Sequence, residues 1–256
     1  MTRTHNTGFK MLFGAVVTAG MAVLSIGGYR LIDHQPPFAW LVLSLLTAAA
    51  GSLSLKIPGV NGRASIGDAL IASSVFLFGP LAGAVTAAFE GVAGSLRCRT
   101  SSRRLQFMLF NTATMALSAY VAGNVFFAAH GRPLFSEEQP APVPLLPGPL
   151  VAFAAAYFLV NTWIVAAASA LDRSAGFFQT WRDGFLWTCV NYLAATFVSG
   201  ILMQSGDPVT LSVLGTLAAG CAAVYVSARA HVRPLNNASR GEQAEPAAAA
   251  PAGRAA

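Results

Sequence analysis

Apolar residues in this chain are gathered into long unbroken runs instead of being spread as stripes. Between charged residues the sequence reads Met11 to Tyr29, Phe38 to Leu55, Ala69 to Phe89, Leu105 to Ala129, Gln139 to Leu171, Gly184 to Gly206 and Pro208 to Ala228, each run holding at least 18 residues without a charge. A helix rises ~1.5 Å per residue, so about 20 such residues cross a hydrocarbon layer of roughly 30 Å. Lipid offers the backbone no hydrogen bonds, and a helix makes all of its own. The pattern therefore predicts an all-α, polytopic transmembrane helix bundle of about seven to eight membrane segments. Residues 1–10 are expected to be a cytoplasmic N-terminus and 11–228 the transmembrane domain. Residues 229–256, low in bulky apolar side chains and rich in Ala and Pro, are expected to be a disordered cytoplasmic tail.

One stretch breaks the simple count. Ile66 to Leu96 spans 31 residues, about 46 Å as a single helix, and Gly79-Pro80 interrupts it. The arms on either side are short for full crossings. A helical hairpin is the natural compromise, and one long helix kinked at Pro80 is the alternative. Before it, the connector from Lys56 to Asp68 carries Pro58, Gly59 and Gly62 as turn formers, with Ser65 placed to cap a helix that starts near Ile66.

Composition agrees with the runs: 55% of the 256 residues are hydrophobic and 10% are charged, against roughly 25% charged in soluble domains. The first run follows Arg3 and Lys10, but its 19 apolar residues exceed the ~7 to 15 of a secretory signal core, so it is read as the first membrane helix. Arginines cluster at Arg97, Arg99, Arg103 and Arg104, whereas His130 to Pro147 has five prolines and sets Arg132 against Glu137 and Glu138. Basic loops stay inside, so the first of these loops is expected in the cytoplasm and the second outside. Counting outward with the hairpin returning to its own face puts both termini in the cytoplasm of a multi-pass inner-membrane protein. The surplus of basic residues follows this membrane pattern and gives no support to nucleic-acid binding.

Ionisable side chains inside a membrane segment are costly and become candidates for function. Asp68 opens the first arm of the broken segment, where a helix dipole would also favour a carboxylate. Glu90 lies in the second arm, and Arg97 is too far along the same helix to pair with it, so its partner is expected on another helix. Asn111, Asn161 and Asn191 each stand in an apolar run with a serine seven or eight residues later. They suit ligand contact or interhelical hydrogen bonding, which polar side chains supply routinely in membranes. Asn61 and Arg63 in the connector could line a polar mouth or belong to an ordinary loop. The tentative ligand-binding set is therefore Asn61, Arg63, Asp68, Glu90, Asn111 and Asn161. Cys98, Cys189 and Cys221 fall singly, the four histidines share no ligand spacing, and no nucleophile elbow or phosphate-binding loop is present. No metal, cofactor or enzymatic activity is expected.

The string LKIPGVNGRASIGDALIASSVFLFGPLAGAVTAAFEGVAGSLR, followed by basic residues and LFNTATMALS, resembles the membrane-embedded MASE-type sensor domains of bacterial signalling proteins, and LVNTWIVAA and FLWTCVNYLAA extend the likeness over roughly Met11 to Ala228. The positions matching the recurring pattern are Pro58, Gly59, Asn61, Gly62, Arg63, Ser65, Asp68, Gly79, Pro80, Asn111 and Asn161. Members of that class continue into a cyclic-di-GMP synthase, HD-GYP or histidine kinase output. The resemblance implies a sensor of a small, unidentified ligand, embedded in the lipid bilayer; because an expected disordered tail stands here in place of an output domain, signalling is expected to need a separate cytoplasmic partner. A small-solute transporter or its substrate-binding membrane subunit is the alternative.

Overall fold

The structure, a computed structural model, describes residues 7–33, 37–51, 55–56, 63–64, 67–96, 104–133 and 146–204. They form α1 (Thr7–Asp33), α2 (Phe38–Gly51), β1 (Leu55–Lys56), β2 (Arg63–Ala64), α3 (Gly67–Phe78), α4 (Pro80–Leu96), α5 (Arg104–Ala128), α6 (Pro147–Arg173), α7 (Phe177–Phe185) and α8 (Cys189–Gln204), with a single 3-10 turn, Leu186–Thr188, between the last two.

The helical expectation holds, while the predicted count of seven to eight membrane segments is not confirmed. Among the described residues α1, α5 and α6 are long and apolar enough to cross a membrane, and α7 with α8, bent by 55°, adds a fourth if the pair is one span. Within the run from Phe38 the described helix covers Phe38–Gly51, 14 residues or about 21 Å. The last run, 208–228, and the tail, 229–256, lie outside the described residues. Large apolar side chains stand exposed along α1, α2 and α8, among them Ile26, Ile32, Leu45, Val190 and Ile201. A surface of this kind suits lipid and not water.

The broken segment resolves as a hairpin. Gly79 has φ 91°, a backbone conformation that an L side chain resists, and Pro80 opens α4, where a missing N–H costs nothing. The arms then run back along each other. The Ser74 and Thr86 hydroxyls are 2.8 Å apart across them, and a Cβ added at Gly83 would collide with the Val75 side chain. Thr86 also lies 2.9 Å from the Ser44 hydroxyl, joining α2 to both arms, and the Trp40 indole donates to the Ala82 carbonyl at 3.3 Å. Nine of the twelve residues of α3 are buried. Arms of 12 and 17 residues reach about 18 and 26 Å, short of the membrane core, so burial in protein is the condition under which such a break survives there.

An aromatic core locks the hairpin to the long helices. Phe76 packs on Phe126 and Phe153 with ring centres 4.5 and 5.1 Å apart, and Tyr157 meets Tyr192 edge to face at 5.2 Å. On the opposite flank α1 approaches closely because Gly20 lies against the Ala113 backbone. The connector, read as turns alone, contains a short antiparallel pairing of Leu55 with Ala64 and Lys56 with Arg63. The amphipathic link between α6 and α8 is α7, whose Trp181 donates to the Thr162 hydroxyl at 2.9 Å while Arg182 and Asp183 stay exposed.

Candidate functional site

The hairpin folds back at Gly79, so its two free ends meet, and each end brings one of the two buried acids. Glu90 sits on α4 eleven residues beyond the turn, and Asp68 opens α3 eleven residues before it. The Glu90 carboxyl lies directly against Gly67: a Cβ there would overlap Oε2 and Cδ. On its other side the Glu90 side chain fills the space of a missing side chain at Gly51, whose Cβ would lie 2.6 Å from Cγ. Two glycines on two helices thus make room for one carboxylic side chain. Its place against the first residue of α3 also sets an acidic side chain at the positive end of that helix.

Asp68 turns to α8. Its Oδ2 accepts a hydrogen bond from Asn191 Nδ2 at 3.0 Å, and eight residues further along α8 the Ser199 hydroxyl donates to the Ala69 carbonyl at 2.6 Å. The eight-residue spacing from Asn191 to Ser199 therefore marks the face of α8 that packs on α3. Asn161 on α6 donates to the Tyr192 hydroxyl at 2.6 Å. Tyr192 and Tyr157 lie within electrostatic reach of both Asp68 and Glu90. Tyr157 is 1% exposed, and its hydroxyl has no hydrogen-bond partner among the described residues.

Of the six residues chosen from sequence, Asp68, Glu90 and Asn161 enter this one cluster. Asn111 lies at its edge, donating to the Gly91 carbonyl at 3.1 Å and the Ser95 hydroxyl at 3.2 Å. There it seals α4 to α5, which approach so closely that a Cβ at Gly91 would lie 2.8 Å from the Thr112 Cα. Arg63 is placed only as backbone in β2, and Asn61 lies outside the described residues. Sequence reasoning missed Tyr157 and Tyr192, and it counted Asn191 among the amides without assigning it to the site. The available signal was a tyrosine inside each of two apolar runs, since a phenol needs a partner when buried.

A groove of about 410 Å³ lies at the corner of α6 and α7, lined by Ala167, Ala170, Leu171, Ser174, Ala175 and Phe177. None of the cluster's residues lines it. Among the described residues no group of His, Cys, Asp and Glu is arranged to hold a metal ion. No family model, curated protein or solved structure matches the chain.

Proposed function

We propose that this membrane-embedded helix bundle is a small-ligand sensor whose binding site is the polar cluster at the open end of the α3–α4 hairpin. The observation that carries the reading is the convergence, from four helices, of the buried Asp68, Glu90, Tyr157 and Tyr192 with the half-buried Asn161 and Asn191. Buried polar groups are expensive, and in a membrane they mark ligand and ion sites. The resemblance to MASE-type domains supports the same reading. Occupancy would shift the packing of the hairpin between its neighbours, and a separate cytoplasmic partner would feel that shift at the loop between α4 and α5. In this orientation both termini lie on the cytoplasmic side of the inner membrane, and the cluster lies in the cytoplasmic half of the bundle.

The test is co-purification of the full chain in detergent, followed by mass spectrometry of bound small molecules. A compound retained by the wild type and lost from Asp68→Leu and Asn161→Leu supports the site. A compound retained by both variants, or none from the wild type, defeats it. The interrupted segment favours a second reading, since transporters use broken helices at their binding sites. Uptake of the retained compound by proteoliposomes, with and without an ATPase partner, separates transport from sensing.

A further inference from the structure

After α6 ends at Arg173, α7 runs back along it into the bundle. Phe177 lines the corner groove beside Ala170 and Leu171 and meets Trp163 edge to face at 6.2 Å. One turn on, Trp181 lies 6.0 Å from the Phe158 ring and donates to the Thr162 hydroxyl at 2.9 Å. Thr162 stands eleven residues before Arg173, about 16 Å along the axis of α6. The 27 residues of α6 reach about 40 Å, against a hydrocarbon layer of roughly 30 Å. Even with all of that excess at the Arg173 end, Thr162 lies about 6 Å inside the layer. Helical side chains lean toward the N-terminus of their helix, so the Trp181 backbone is at least as deep as its indole. The face of α7 turned away from α6 carries Phe178, Gln179, Arg182 and Asp183, all exposed. Arg182 Nε donates to Asp183 Oδ1 at 3.1 Å, yet the two side chains stay 61% and 55% exposed.

Charged side chains at membrane depth are costly where they face lipid, and they turn to protein or to one another. Arg182 has a long stem with which to reach toward the headgroups, but Asp183 has a single methylene and cannot. The face therefore calls for a cover that itself carries charge. Lipid tails carry none, and neither does the remaining apolar run of the chain, 208–228. A second copy brings both signs in adjacent positions, and a two-fold axis through this face sets each arginine against an aspartate. Phe178 and Leu186, both exposed, flank the charges and supply apolar contact around them. We propose that the outer face of α7 is a self-association surface, on which two copies of this chain pair in the membrane with Arg182 of each against the partner's Asp183. Pairing on this face does not depend on what the cluster at the hairpin ends binds.

The experiment is energy transfer between donor-labelled and acceptor-labelled copies of the full chain, reconstituted together in liposomes at high lipid dilution. Wild-type copies are expected to show transfer. Arg182→Glu leaves the face with two acids and Asp183→Lys leaves it with two bases, so each variant alone should lose the signal to like-charge repulsion. Donor-labelled Arg182→Glu mixed with acceptor-labelled Asp183→Lys should regain it, which a mere loss of folding could not produce. A wild type without transfer overturns the proposal, as do single variants that pair like the wild type or a mixture that pairs no better than either variant. Cross-linking supplies a second measurement that leaves the charges intact. With Cys98, Cys189 and Cys221 replaced by serine, Phe178→Cys should form a disulfide between copies, and Leu45→Cys, on the exposed face of α2, should not. If the charge variants do not fold, this pair decides. Cross-linking at position 45 and not at 178 places any self-association elsewhere, and cross-linking at neither leaves the α7 face to lipid or to the chain's own run 208–228; both results overturn the proposal.

Discussion

Gly67→Ala probes the contact that closes the hairpin. The added methyl would occupy the volume of the Glu90 carboxyl, which is itself hemmed in by Gly51 on α2. The end of the Glu90 side chain must shift to admit it, and overpacking of this sort costs ~1–3 kcal/mol, toward the lower figure where a flexible side chain yields. The cost depends on shape and not on charge, which makes it separable. Glu90→Gln keeps the shape, so Gly67→Ala should cost the same in that background. Glu90→Ala empties the space, so there Gly67→Ala should be neutral or stabilising by up to about 1 kcal/mol, the gain of replacing a flexible glycine in a helix. The coupling read from the double-mutant cycle is then about 1–4 kcal/mol, larger than the ~0.5 kcal/mol scatter of independent sites. The assay is reversible unfolding of the detergent-solubilised protein. An equal effect of Gly67→Ala in the wild type and in Glu90→Ala would show that the carboxyl does not lie against α3, and the site would lose its geometry.

Three other outcomes test the surrounding structure. Thr86→Val keeps volume but removes the hydroxyl shared by Ser44 and Ser74; the loss should be about 1–3 kcal/mol, and Ser74→Ala in the same background should cost less than it does alone. Gly20→Ala sets a Cβ 2.6 Å from the Ala113 Cα, whereas Gly14→Ala on the same helix meets nothing within 4 Å. The first should therefore destabilise by ~1–3 kcal/mol and the second not at all, a contrast absent if α1 does not pack on α5. With Cys189 and Cys221 replaced by serine, the native Cys98 between residues 97 and 104 should be labelled in intact cells only by membrane-permeant maleimide; labelling by an impermeant reagent would reverse the orientation.

Local sequence was enough to announce apolar helices, because a run of uncharged residues carries its own preference for lipid wherever it folds. It also located the break at Gly79-Pro80, since backbone freedom and a missing N–H belong to those residues themselves. Whether the break kinks a helix or turns it back was decided by contacts such as Gly83 with Val75, between residues on facing arms. The same holds for close packing: Phe38 to Leu55 is uncharged throughout, yet nothing in that run announces that Glu90 of another helix lies against Gly51. Asp68 and Glu90 could be singled out one at a time by the cost of their charge, but nothing in the chain order announces that Tyr157, 89 positions after Asp68, shares their environment. Hydropathy is a property of each segment alone, whereas a buried polar site is a property of the faces that segments turn toward one another, and only tertiary packing chooses those faces.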